Sequence, residues 1–294
     1  MGASSRRDIW VQGARPRTLP AAIAPVLVGA GASVGVGATD VVWANALFAL
    51  VVSLALQVGV NYANDYSDGI RGTDAQRVGP MRLVGSGVVP ARQVKMAAFI
   101  SFGVACIAGL LIAATTSWWL LLVGAVCIAA AWGYTGGPKP YGYLGLGELF
   151  VFLFFGVIAT TGTTYAITQQ LTRLSLICSV AVGALACALL VVNNLRDIPG
   201  DTQAGKITLA VKLGDRTTRG VYVALIGLAA LAIAVVAFDR PPAITGLVGL
   251  IAALPAIREI RRGASGKHLI PVLGATGRAQ LIVAILLTAG LIIG

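Results

Sequence analysis

Residues 174–201 read LSLICSVAVGALACALLVVNNLRDIPGD. Leu174–Leu195 is apolar for the length a helix needs to cross a bilayer core of about 30 Å. A polar cluster then stands at its end: Asn193, Asn194, Arg196, Asp197 and Asp201. The stretch predicts a membrane-spanning helix that opens into a charged site. Outward from it the same pattern recurs, with spans predicted at Thr18–Gly37, Val41–Asn61, Val94–Thr115, Trp118–Tyr134, Leu144–Ile167, Val221–Phe238, Pro241–Ile257 and Ala279–Gly294. The expected fold is all-α: a polytopic membrane protein of nine transmembrane helices in a bundle around a cytoplasm-facing cavity. Residues 1–294 form one domain in this reading.

Composition excludes a water-soluble globule. Of 294 residues 57% are hydrophobic and 11% charged, against roughly a quarter charged in soluble domains. The net charge of +11 would suggest nucleic acid in a soluble chain, but the apolar runs override that reading and no nucleic-acid partner is expected. The bases serve topology instead. With nine spans, 20 of the 22 Lys and Arg fall in the N-terminal segment and alternate loops, leaving Arg173 and Arg240 on the other side. Cytoplasmic loops are the ones enriched in bases, which puts the N-terminus in the cytoplasm, the C-terminus outside, and a face suited to anionic lipid inside.

The acids do not follow that rule. Asp65, Asp68, Asp74, Asp197, Asp201 and Asp215 crowd two cytoplasmic loops. The second span ends in Asn64-Asp65-Tyr66-Ser67-Asp68-Gly69, so both crowded stretches contain Asn-x-x-x-Asp, at Asn64/Asp68 and Asn193/Asp197, 129 residues apart. An offset of four spans brings both motifs out on the same face, as a parallel internal repeat. Asn and Asp at i and i+4 share one helical face, giving two polar stripes that converge at one mouth. Pro199 is expected to kink or stop the second helix, and Gly69 and Gly72 to end the first.

Carboxylates gathered at one mouth repel one another unless cations sit among them. Mg²⁺ answers that need, because it takes oxygen ligands and binds through one or two carboxylates plus substrate phosphates. Arg71, Arg77, Arg82 and Lys206 supply donors for phosphate oxygens. The residues therefore read as a Mg²⁺-diphosphate site, with Asp65, Asp68, Asp197 and Asp201 on the metal, Asn64 and Asn193 beside them, and Arg77, Arg82 and Lys206 on the diphosphate. Tyr66, Tyr134 and Tyr141 are candidates for a dry aromatic wall below.

Other features are plainer. Cys106, Cys127, Cys178 and Cys187 have no metal-site spacing and read as small core residues. Gly85-Ser86-Gly87 reads as a loop, His268 as a surface residue and Trp118-Trp119 as an interfacial anchor. Glu148 has two readings, a general base or an acid meeting a helix dipole.

The sequence resembles the UbiA superfamily of intramembrane prenyltransferases. Asn64-Asp65-x-x-Asp68 matches the family's first aspartate motif, within residues 61–82, and Asp197-x-x-x-Asp201 its second, within 193–212. Arg15-Pro16-Arg17-Thr18-Leu19, Arg77-Val78-Gly79-Pro80-Met81-Arg82, Gly147-Glu148, Gly205-Lys206 and Thr208-Leu209-Ala210-Val211 are similar to its naphthoate branch. Two positions depart from the superfamily pattern: Gly72 stands where the first motif has its last Asp, with Asp74 two residues on, and the Tyr-x-x-x-Lys pair appears one residue wider as Tyr134 and Lys139. The resemblance implies Tyr134 and Lys139 as catalytic residues beside Asp65, Asp68, Asp197, Asp201 and Lys206. It implies Mg²⁺-dependent transfer of a long polyprenyl chain from its diphosphate to 1,4-dihydroxy-2-naphthoate, with decarboxylation, giving demethylmenaquinone. A sibling activity on 4-hydroxybenzoate or homogentisate is the nearest alternative, and a membrane transporter the alternative from another class. The Asp-Gly start at Asp68-Gly69 departs from the CDP-alcohol phosphotransferase motif after two residues. Protein partners, prenyl chain length and oligomeric state are not legible.

Overall fold

The computed structural model describes residues 5–73 and 81–294, and every regular element among them is helical. We number the helices α1 (Arg6–Ala14), α2 (Pro20–Gly31), α3 (Ala44–Arg71), α4 (Ala91–Thr115), α5 (Trp119–Gly133), α6 (Gly147–Thr168), α7 (Arg173–Gln203), α8 (Leu209–Asp239), α9 (Pro241–Arg261) and α10 (Leu269–Ile293). Seven helical segments among the described residues are long and apolar enough to cross a membrane; α2 and α5, which occupy the first and fourth expected spans, are apolar but shorter. The chain is a multi-pass integral membrane protein.

Local chemistry sets the ends. Pro20 opens α2, where a missing N–H costs nothing. Thr172 and Thr208 cap α7 and α8, their hydroxyls accepting from the N–H groups of Ser175 and Val211. Gly72, at φ 73°, closes α3 in a left-handed conformation that a side chain disfavours. Gly69 does not end the helix: a Cβ there would collide with Val84, so its role is close approach of the following loop.

Three expectations change. Helix α7 continues through Pro199 to Gln203. The proline removes one hydrogen bond near the end, and beyond it Thr202 Oγ1 donates to the Ile198 carbonyl (2.8 Å), while the N–H of Ala204 and Lys206 reach Gly200 and Asp201. Asp197 and Asp201 consequently share one helical face. Helix α10 begins ten residues earlier than expected, because Arg278 points outward and is exposed, which an apolar helix tolerates through a long side chain. Helix α8 begins at Leu209 and bends at Gly214.

Helices α2, α7, α8, α9 and α10 share one continuous apolar core, with α7 at its centre. Small residues permit the closest approaches: a Cβ on Gly156 of α6 would lie 2.6 Å from the Gly183 Cα of α7. Beside that contact α6 widens into a π-helical turn over Phe152–Ile158, a local irregularity that often marks functional positions. The other half is open. Between α2, α3, α4, α5, α6 and α7 lies a cavity of about 730 Å³. Cys178 and Cys187 are buried as expected, whereas Cys106 is exposed and lines this cavity together with Cys127.

Candidate active site at the charged mouth of the cavity

Four segments meet at the mouth: the ends of α3 and α7, the loop after residue 80, and the connection from α5 to α6. Asn64 is buried and its Oδ1 accepts from Thr135 Oγ1 at 2.7 Å. One turn on, Asp68 accepts from the Tyr143 hydroxyl at 2.7 Å. Arg71 donates to the Thr135 and Gly137 carbonyls and lies 5.4 Å from the Tyr143 ring centre. Lys206 Nζ stands 5.3 Å from the same ring's centroid and 3.6 Å from Asp201. Tyr143 therefore joins the two motifs. Burial, and after it the Asp68 charge, raise the Tyr143 phenol above its ordinary value, so it stays protonated and donates to the carboxylate.

The second motif is held differently. Arg196 grips Asp197 with both Nε and an Nη, at 2.7 and 2.8 Å, and reaches Asn193 Oδ1 at 2.7 Å. Asn194, on the neighbouring face, donates to Glu148 Oε1 at 2.8 Å. Glu148 lies in the first turn of α6, where an acid meets the helix dipole. Its other carboxylate oxygen is buried with no hydrogen-bond partner among the described residues.

Asp65, expected on the metal, is fully buried and accepts the backbone N–H groups of Leu83 and Val84 at 2.9 and 3.0 Å. Its geometry anchors the loop that carries buried Arg82, because a residue next to Asn64 in a helix points about 100° away from the mouth. Tyr66 is likewise turned away: it stacks on Trp132 at 6.2 Å, with Lys95 5.5 Å from its ring centre, and is absent from the cavity lining. Tyr134 and Tyr141 do line the cavity, 5.4 Å apart. Lys139 stands exposed on a turn with no hydrogen bond or ion pair among the described residues. Arg77 and Asp74 lie outside the described residues.

No group of three or more His, Cys, Asp or Glu gathers at metal-binding range among the described residues. The donors nonetheless suit a hard cation. Asp68, Asp197, Asp201 and Asn193 offer oxygen alone, and Mg²⁺ asks for one or two carboxylates with phosphate and water completing its shell.

Residues that sequence reasoning passed over are Tyr143 and Arg196. Tyr143 sits in a short polar connection between apolar runs, the one signal that marks it. Arg196 lies inside the second motif and was counted among the topological bases. Arg15 also lines the cavity, in a left-handed conformation (φ 54°) that a non-glycine residue rarely adopts.

Comparison with known proteins agrees with this geometry. The pattern of the UbiA prenyltransferase family matches residues 22–271. The chain is 52% identical to a 1,4-dihydroxy-2-naphthoate octaprenyltransferase of Mycobacterium tuberculosis, over 97% of each protein. It is 33% identical to the enzyme of that name in Escherichia coli, over 98% of this chain and 96% of that one. Among solved structures, a UbiA homologue from Aeropyrum pernix superposes with a TM-score of 0.69 at 16% identity, covering 93% of this chain and 96% of that one. One from Archaeoglobus fulgidus bound to GPP and Mg²⁺ gives 0.64 at 16% identity, over 95% and 99%. Two aspartate motifs meeting at the mouth of an apolar intramembrane cavity are thus found in a chain that belongs to the UbiA prenyltransferase family.

Proposed function

We propose that this chain transfers a long polyprenyl group from its diphosphate to 1,4-dihydroxy-2-naphthoate, with loss of the ring carboxylate as CO₂ and formation of demethylmenaquinone in its reduced, hydroquinone form. The carrying observation is the junction of both motifs at Tyr143, directly above an apolar cavity. The full-length similarity to enzymes named for that acceptor supports it over 4-hydroxybenzoate or homogentisate.

In this reading Asp68, Asp197 and Asp201, with Asn64 and Asn193 beside them, would hold Mg²⁺, which would supply positive charge to the departing diphosphate. Lys206 and Arg82, with Arg77, bind diphosphate oxygens, and Asp65 fixes the loop bearing Arg82. The allylic C–O bond breaks with its electron pair going to the diphosphate. Cationic donors stabilise that growing charge more in the transition state than in the ground state. Below, the apolar lining takes the isoprenoid tail, and Tyr134 and Tyr141 keep water from the allylic cation. The ring then forms the new C–C bond. The protein lies in the cell membrane with its N-terminus and this mouth in the cytoplasm, against anionic lipid.

The test is prenyl transfer by purified protein in liposomes, with polyprenyl diphosphate and 1,4-dihydroxy-2-naphthoate, with and without Mg²⁺. Mg²⁺-dependent demethylmenaquinone is the expected product. Turnover with another aromatic acid alone would replace the acceptor, and movement of substrate without turnover would favour a transporter.

A further inference from the structure

Below the mouth, α3 turns a second polar row toward the cavity. Ser53, Gln57, Asn61 and Asn64 all line it, at spacings of four, four and three residues, which is one helical face. Such a row in an apolar cavity is costly unless each group is satisfied.

Most of it is. Ser53 Oγ donates to the Ala22 carbonyl at 2.8 Å. Asn61 Nδ2 donates to the Ala14 carbonyl at 2.9 Å, which fixes its amide orientation and leaves Oδ1 facing Gln57. Thr18 gives its hydroxyl hydrogen to the Arg15 carbonyl at 2.9 Å. It can therefore only accept from the amides of α3, and Gln57 Nε2 reaches it at 3.1 Å. Both neighbours demand the NH₂ end of Gln57. Its Oε1 is left over, accepting nothing from the described residues, on a residue 6% exposed at the cavity wall.

Another wall of the cavity is aromatic. Tyr141 and Phe150 stack with centroids 4.1 Å apart, and Phe150 and Phe154 at 5.9 Å. A stacked aromatic wall and a hydrogen-bond acceptor within one apolar cavity suit a planar ring bearing a hydroxyl. An isoprenoid chain has no group to offer the amide oxygen. The rise of α3 places Gln57 about 10 Å below Asn64, deep enough for a fused ring lying under the diphosphate.

We propose that Gln57 is the residue that reads the aromatic acceptor, its Oε1 accepting a hydrogen bond from a ring hydroxyl. The inference rests on the acceptor class proposed above. The test uses full-length protein in liposomes and measures 1-hydroxy-2-naphthoate and 4-hydroxy-2-naphthoate as competitors of 1,4-dihydroxy-2-naphthoate. In the wild type, one of the two binds about tenfold more weakly than the dihydroxy acid. In Gln57→Met that ratio falls toward one, while the apparent KM for polyprenyl diphosphate stays within twofold. Gln57→Glu keeps an acceptor atom but loses the donations to Thr18 and Asn61, so discrimination retained there despite a lower melt separates the reading role from a purely structural one. Unchanged ratios for both analogues in a folded, active Gln57→Met protein overturn the proposal and leave the reaction standing, as does a KM change confined to the diphosphate. Failure of the wild type to turn over the dihydroxy acid at all overturns the acceptor assignment, and this inference with it.

Discussion

The two Asn-x-x-x-Asp motifs have the same spacing and opposite electrostatics. At the end of α3, Asn64 and Asp68 receive neutral hydroxyls, from Thr135 and Tyr143, both on the connection between α5 and α6. At the end of α7, Asn193 and Asp197 receive the guanidinium of Arg196, three residues and one residue away on their own helix. The first motif offers its carboxylate charge to whatever cation arrives. The second brings its own cation and must share. Equal sequence spacing therefore does not mean equal work: among the described residues one motif is an anionic site met by neutral hydroxyls, the other an ion pair that carries its own arginine.

Substitution should separate the two. Asp68→Ala and Asp197→Ala are each expected to lower turnover by at least about 100-fold, the scale of losing one preorganised electrostatic contact. Stability should differ. Asp197→Ala leaves Arg196, 4% exposed, without its carboxylate, and breaking a buried pair from one side costs about 3–5 kcal/mol. Asp68→Ala leaves only a hydroxyl in need of a partner. Thermal melts in detergent should show a clear drop for Asp197→Ala and a small one for Asp68→Ala. Matching melts would break the comparison. Next in size, Arg82→Ala should raise the apparent KM for the diphosphate by about tenfold or more and spare the aromatic acid. Asp65→Ala should reproduce it, because Asp65 fixes the loop backbone at Leu83 and Val84.

The membrane-spanning pattern was legible because apolar length is a local property: α3, α4 and α7 lie close to where hydropathy puts them. Their polar ends were not. Helix α7 outruns Pro199 because one missing hydrogen bond near a terminus is compensated by Thr202 and the following N–H groups, which no propensity rule weighs. The four aspartates were visible as a pattern, but their division of labour was not. Asp65 and Asp68 are three residues apart, and which one faces the mouth depends on the rotation of α3 and on a loop folding back from residue 81. Tyr143 escaped notice because its partners, Asp68 and Lys206, are distant in sequence.

Glu148 sharpens the contrast from the side of the second motif. It accepts from Asn194, the residue beside Asn193, and its other oxygen is buried and accepts nothing from the described residues. Glu148→Gln keeps an acceptor for Asn194 and removes a buried charge, so it should melt no lower than the wild type. Glu148→Ala strands the Asn194 amide, at a cost of about 1–3 kcal/mol. A melt for Glu148→Gln as low as that for Glu148→Ala would show that the charge itself is needed.

The smallest effect belongs to Tyr143. Tyr143→Phe keeps the ring near Arg71 and Lys206 but removes the hydrogen bond to Asp68, a loss of about 1 kcal/mol. Its signature is the pH dependence. Burial and the neighbouring Asp68 raise the phenol above its ordinary 10.0, so the folded protein holds that proton more tightly than the unfolded chain. The resulting stabilisation is complete below pH 10 and fades as pH climbs through the raised value. Wild type and Tyr143→Phe should therefore differ by a constant amount at neutral pH and converge above about pH 10. A gap that instead opens with rising pH would mean that Tyr143 ionises more easily in the fold, and that the first motif, like the second, is compensated by a cation.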